Sequence, residues 1–234
     1  MRQSLSAPIR LSIICSLLTL LMLSSSRMYA AQSVCGVEPA GTTYSYVDGD
    51  MKDSQSLQLT RSMKDHATLQ VIICAGKVLV VPALDGRLHL SIELQGTPAK
   101  DMTSFVRAIE SQGDNAIVSL AYPKNLHPHI VLRVPLDKPS QMIINLGTGE
   151  LSMRGDAIQG DCRIDVGIGK LTLYLRGDSE YSKLDTHVGL GSFRDHRSDK
   201  ATAHLSTQQL FRGKGGRELS ANVGIGSMEL RTEE

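Results

Sequence analysis

Apolar residues recur at every second position over much of this chain. In DCRIDVGIG, Cys162, Ile164, Val166 and Ile168 share one face, and Arg163, Asp165, Gly167 and Gly169 share the other. Beyond them Leu171, Leu173 and Leu175 alternate with Thr172 and Tyr174. A strict period of two predicts half-buried β-strands. The apolar parity flips between Ile168 and Leu171, so the Gly169-Lys170 step is predicted to be a corner or bulge. The same flip runs from Leu190 to Phe193 and from Ile225 to Met228. The underlying unit, apolar-Gly-x-Gly, occurs four times: LGTG at 146–149, VGIG at 166–169, VGLG at 188–191 and VGIG at 223–226. Its first glycines stand at 147, 167, 189 and 224, at intervals of 20, 22 and 35 residues. A period near 20 is too short for helix pairs and fits one coil of a β-solenoid, in which stacked units share a core. A phosphate-cradling Gly-x-Gly loop would need a helix after it, and no helical pattern follows.

The N-terminal part reads as strands of less regular spacing. Residues 57–59 (LQL) are short. Residues 69–81 (LQVIICAGKVLVV) read as strand, Ala-Gly corner, strand. After a turn at Asp85-Gly86, the segment DGRLHLSIEL places Leu88, Leu90, Ile92 and Leu94 on one face. FVRAIE at 105–110 fits one helical turn or a strand. The QGDN that follows, and then AIVSLAY, favour a hairpin. HPHIVLRVPL at 127–136 points Ile130, Leu132, Val134 and Leu136 inward, and Pro135 and Pro139 end the ladder.

Composition narrows the class. The chain has 234 residues, 41% of them hydrophobic, which is enough for a real core. A formal net charge of +1 gives no basic face, so no nucleic-acid partner is expected. Residues 1–30 read as a signal peptide: Arg2 and Arg10, a short apolar run at 11–23, then SSSRMYA with cleavage expected after Ala30. The run is too short for a comfortable span, so no stable membrane span is expected in the mature chain. Cleavage takes Arg2, Arg10 and Arg27 from 25 basic residues, so that 22 face 24 acidic ones, a net charge of −2. The remaining organisation is a flexible Gly-, Ser- and Thr-rich N-terminal arm at 31–56 and a β-solenoid domain at 57–234, with Gly-x-Gly coils from 143 onward.

Candidate chemistry is sparse. Of Cys35, Cys74 and Cys162, an exported protein can pair two; Cys35-Cys74 is the pair to consider, and Cys162 has the inward parity of a small buried hydrophobe. His127-Pro128-His129 puts two imidazoles on one side of a strand, but a metal site needs a third ligand. His89, His187, His196 and His204 are scattered. Asp185, His187 and Ser192 make a triad only on paper, since neighbours on one strand do not supply its geometry. There is no HExxH, P-loop or GxSxG. No catalytic, cofactor-binding or metal residues are assigned, and no cofactor is expected. Outward acids such as Asp165, Glu180 and Asp185 keep a polysaccharide-degrading or carbohydrate-binding β-helix as the alternative. Against it stand 4% aromatic residues and no Trp, which leave no stacking platform for a sugar.

The 35-residue interval holds an insertion at 194–216, with RDHRSDK and RGKGG, read as a polar loop and the place where a partner touches. The final strand, 227–231, is read as a terminal coil with an exposed edge that must be capped, charged or paired with another chain. Glu229, Arg231, Glu233 and Glu234 are then charged edge protection, and edge-strand self-association at this coil is the contact to expect.

The succession AGKV, HIVLRVPLDKP, LGTGELSMRGD, VGIGKLTLYL, VGLGSF and FRGKGGRELSANVGIGSMEL resembles the bacterial toast-rack and putative-adhesin family of exported envelope proteins, over residues 57–234. The resemblance implies a right-handed, single-stacked β-solenoid without established catalytic residues. Together these readings predict an exported, non-enzymatic interaction or structural module of the cell envelope, periplasmic, cell-surface or secreted. Its partner would be an envelope protein or a cell-surface glycan. A sensory or regulatory domain for envelope stress follows from the resemblance alone.

Overall fold

The computed structural model describes residues 50–53, 56–95, 106–112, 115–120, 127–177, 180–197, 201–204 and 206–233. The signal-peptide reading, Cys35, and residues 31–49 of the arm lie outside them.

Every long alternating segment is a strand. They are β1 (Asp50–Asp53), β2 (Ser56–Ser62), β3 (Thr68–Ala83), β4 (Arg87–Gln95), β5 (Val106–Gln112), β6 (Asn115–Leu120) and β7 (His127–Pro135). The remainder are β8 (Gln141–Arg154), β9 (Asp161–Leu175), β10 (Tyr181–Asp195), β11 (Ala201–His204), β12 (Thr207–Phe211) and β13 (Arg217–Thr232). One 3-10 turn, Gly155–Ala157, joins β8 to β9. The described residues are all-β, and residues 106–110 (VRAIE) belong to a β5–β6 hairpin as the turn signal suggests.

The strands form one open sheet of mixed pairing, ordered β1-β2-β4-β7-β3-β8-β9-β13-β10-β11. Its centre is a parallel set, β3, β8, β9, β13 and β10. Its flanks pair antiparallel: β1 with β2, β2 with β4, β4 with β7, and β10 with both β11 and β12.

The five central strands share one bend. Gly76, Gly149, Gly169, Gly191 and Gly226 have φ between 131° and 145°, a region essentially closed to residues with a Cβ. They stand in register: Gly76 beside Gly149, then Gly169, Gly226 and Gly191. A Cβ on Gly169 would lie 1.8 Å from the Gly149 carbonyl oxygen, and one on Gly226 the same distance from that of Gly169. Each corner is therefore a glycine twice over, by dihedral and by the approach of its neighbour. ICAG at 73–76 is a fifth copy of the unit, with Cys74 in place of the first glycine.

The bend divides each central strand into two halves that enclose the core. Cys162, Ile164 and Val166 on the first half of β9 and Leu171, Leu173 and Leu175 on the second are all buried. The same holds for Leu219, Ala221 and Val223 against Met228 and Leu230 on β13. Outer neighbours then split by half. β6 continues the first half of β3 and β7 the second. β12 continues the first half of β10 and β11 the second.

Four expectations are corrected. Ile168, Leu190 and Ile225 are half exposed, at 51%, 51% and 47%. The parity breaks one step earlier than read, because the residue between the two glycines sits on the outside of the corner. Leu136 is exposed, since it lies past the end of β7. The insertion at 194–216 is not a simple polar loop: β11 and β12 within it cover the outer edge of β10. The C-terminal strand is not an edge. β13 lies between β9 and β10 and pairs with both along its length. Self-association through a free β13 edge is thereby removed. Glu229 is 8% exposed and takes Lys170 and Arg231 at 2.8 Å each.

Candidate functional site

Parallel strands in register line up their outward residues in rows. On the first halves, one row runs Ile143, Arg163, Ser220, Asp185 across β8, β9, β13 and β10. The next runs Asn145, Asp165, Asn222, His187. Neighbouring strands are about 4.8 Å apart, so from β9 to β10 each row is a ladder of polar groups close enough for neighbours to meet, and β8 adds Asn145 to the second row and the apolar Ile143 to the first.

The ladder is wired internally. Arg163 Nε donates to Asp165 Oδ2 at 2.8 Å, and Asn222 Nδ2 donates to Asp165 Oδ1 at 2.8 Å. Gln208 Nε2 donates to Asp185 Oδ1 at 3.3 Å, and Lys183 Nζ lies 3.6 Å from Asp185 Oδ2. Asp161 Oδ1 accepts the Glu218 backbone N–H at 2.9 Å. At the start of these strands a groove of about 180 Å³ opens, lined among others by Asp161, Arg163, Lys183, Asp185, Glu218 and Ser220. Three acids and two bases give it alternating charge and many donors and acceptors. Cys162 borders the groove from the core side; burial first, then Asp161, pushes its thiol up to about 12, so it is not a nucleophile at neutral pH.

The three outward acids that keep a sugar-hydrolysing surface as the alternative are each engaged. Asp165 and Asp185 are held as above, and Glu180 Oε2 takes Arg217 at 3.3 Å. Asp165 and Asp185 are separated by two strand spacings, about 9.6 Å, and by two residues along the strand. The paper triad is not assembled: Asp185 and His187 precede the corner of β10 and Ser192 follows it. His129 lies on β7, and the side chain of His127 is outside the described residues. Among the described residues no group of three His, Cys, Asp or Glu is placed to hold a metal ion.

Two polar clusters were not legible in the sequence. His89 Nε2 lies 2.8 Å from Asp85 Oδ2 and its Nδ1 3.0 Å from Thr60 Oγ1, pinning the turn before β4 to β2. The His89 bond holds the Asp85 carboxyl below its ordinary value. At the far end of β8, β9 and β13, Arg154 Nε pairs with Glu233 at 2.9 Å and its Nη2 with Asp156 at 3.2 Å, while Arg176 Nε reaches Glu233 at 3.3 Å. Glu233 thus clamps the end of β13 rather than guarding an edge. No sequence spacing relates 154, 176 and 233; only the register does.

The fold and these rows define an all-β protein built on an open mixed sheet, with mostly polar rows outside the first halves of its central strands and apolar residues exposed at the corners. No family model and no curated protein matches the sequence. Among solved structures, the chain is similar to a putative cell adhesion protein from Clostridium sporogenes at 12% identity, with 76% of this chain and 100% of that one covered and a TM-score of 0.48. It is also similar to a putative adhesin from Parabacteroides distasonis at 9% identity, covering 76% and 71%, with a TM-score of 0.28. A putative lipid binding protein from the same organism follows at 11%, covering 79% and 75%, also at 0.28. These neighbours are in keeping with the family resemblance. At such identities and TM-scores they carry no argument about activity. Among the described residues no helix is long and apolar enough to cross a membrane.

Proposed function

We propose that this protein is an exported, non-enzymatic, adhesin-like interaction module of the bacterial envelope. In this reading its bent parallel strands act as β-solenoid coils that hold a polar binding face rigid. The observation that carries it is the groove over the first halves of β8, β9, β13 and β10. Its side chains project from strands locked by glycine corners, so their spacing is fixed before any partner arrives. Preorganised donors and acceptors favour recognition, because little ordering cost remains at binding. The outward carboxylates are tied to cations and amides, which suits contact with a polar surface better than acid–base turnover. The partner is an envelope protein or a cell-surface glycan.

The test is cross-linking in living cells followed by mass spectrometry, comparing the parent with an Arg163→Ala, Lys183→Ala double variant whose β-rich circular dichroism is unchanged. A captured envelope protein or glycan that is lost in the variant supports the reading. Capture indifferent to the groove overturns its placement. Reducing-sugar release that Asp165→Asn or Asp185→Asn abolishes overturns the non-enzymatic reading.

A further inference from the structure

The strand order contains an inversion. β10 comes before β13 in the chain, yet β13 sits between β9 and β10. The outer edge of β10 is covered by β11 and β12, so the remaining edge of β10 faces β13 alone. One edge of β9 is likewise taken by β8 and the other by β13. Until β13 is seated, two parallel edges with glycine corners stand open toward each other. Both accept the same unit: VGIG of β13 aligns with VGIG of β9 and VGLG of β10, residue for residue.

β13 reaches its seat through 212–216 (RGKGG), which crosses the start of β10. There Gly215 lies so close to Glu180 that a Cβ would stand 2.0 Å from its backbone, and Arg217 pairs with Glu180. Arg212, Lys214 and Gly216 are exposed. Opening this crossing leaves the pairing of β11 and β12 with β10 intact, and the ladders that β13 must leave, to β9 and β10, are the ones it re-forms in an acceptor. Once seated, β13 buries Leu219, Ala221, Val223, Met228 and Leu230, each at 1% exposure or less.

We propose that the seat between β9 and β10 accepts β13 from a second copy of this chain, giving dimers by strand exchange. Every contact of β13 is the same whichever copy supplies it, so the exchanged form differs from the closed one only at 212–216 and in the entropy of association. Concentration during folding then decides between them. The exchanged dimer is slow to revert, because reversal must expose the buried face of β13. This proposal stands apart from the interaction-module reading: a monomer could still bind through the groove, and an exchanged dimer could bind nothing.

The test uses two single variants of the protein, Asp165→Cys and Asn222→Cys, one of them isotope-labelled. The two positions are neighbours across β9 and β13, with Asn222 Nδ2 2.8 Å from Asp165 Oδ1. The two are mixed in denaturant, refolded at low and at about a hundredfold higher concentration, and treated with a short bismaleimide. The expected result is a dimer-to-monomer ratio that rises on the order of tenfold or more by light scattering. The dimer carries the peptide around 165 of one chain joined to the peptide around 222 of the other. A chain that stays monomeric at both concentrations, or a dimer lacking the 165–222 link between chains, overturns the proposal. Lys170→Cys with Glu229→Cys, whose parent side chains meet at 2.8 Å, gives the same readout should the first pair fail to fold.

Discussion

The central set β3, β8, β9, β13, β10 and the flank β2, β4, β7 are written in the same alternating pattern and built differently. In the flank, Leu57 and Leu59, Leu88, Leu90, Ile92 and Leu94, and Ile130, Leu132 and Val134 point inward from strands without a glycine corner. In the central set each strand turns at a glycine and places residues in the core on both sides of the turn. Alternation alone leaves register ambiguous by steps of two, since such a slip keeps every side chain on its face. A corner removes that freedom. Sliding β9 by two residues against β8 in one direction would set Leu171 where the Gly149 carbonyl oxygen stands 1.8 Å from the Cβ position of residue 169; in the other, Gly167 would take that place and the bend at Gly169 would no longer meet the bend at Gly149. Hydrophobicity decides which face is inside; the glycines decide the register.

The comparison can be broken hardest at the core, where the two regions should behave alike. Val166→Asp puts a charge at a position 2% exposed and is expected to cost several kcal/mol, about 3–5, measured by urea or thermal unfolding. Leu132→Asp in the flank, 1% exposed, should cost as much. A much milder loss at Leu132 would show that the flank is not part of the same cooperative core. The corner separates the regions. Gly169→Ala must strain a φ of 140° and displace the Gly149 carbonyl, and is expected to cost about 2–4 kcal/mol. Gly86→Ala, in the flank turn with φ 69° and nothing within 4 Å, should cost about 1–2 kcal/mol. Equal effects would mean that close approach between corners does not set the register.

Acid sharpens the difference further. Burial pushes the Glu229 carboxyl up, but hydrogen bonds and charge from Lys170 and Arg231 outweigh it and leave it below its ordinary 4.5. A carboxyl depressed by folding stabilises above its unfolded value, and that contribution is lost as pH falls through the folded one. The melting temperature of Glu229→Gln should therefore fall less steeply than the parent's as pH drops below 4.5. Asp85 in the flank is lowered in the same sense by His89 but is exposed, so Asp85→Asn should flatten the curve less. The smallest effect is expected at Lys77→Ala, which removes a 3.5 Å pair with Glu150 between two largely exposed side chains; at most about 0.5 kcal/mol should be lost, by the same melts.

Much of this was legible along the chain. The Gly169 corner could be read because a parity flip next to a glycine has few backbone solutions. Along the chain ICAG reads as a corner but not as a fifth copy, because Cys74 hides the repeat. Alternation continued through Ile168 points it inward; only the bend shows that the residue between the glycines turns outward. The groove is partly legible, since parity alone turns Asp165 and Asp185 outward. Their engagement by Asn222 and Gln208, 57 and 23 residues away, could not be read from either neighbourhood.

The sequence by itself determined what is local: strands from alternation, corners from glycine, faces from parity. These follow from backbone sterics and from which side chains leave water, within a few residues of each position. The tertiary structure decided which strand lies beside which. Copies as alike as VGIG, VGLG and VGIG offer nearly the same edge to one another, so nothing in a single unit names its neighbour. Threading β13 between β9 and β10, and laying β11 and β12 on the outside, is settled only by pairing every edge and closing one core at once.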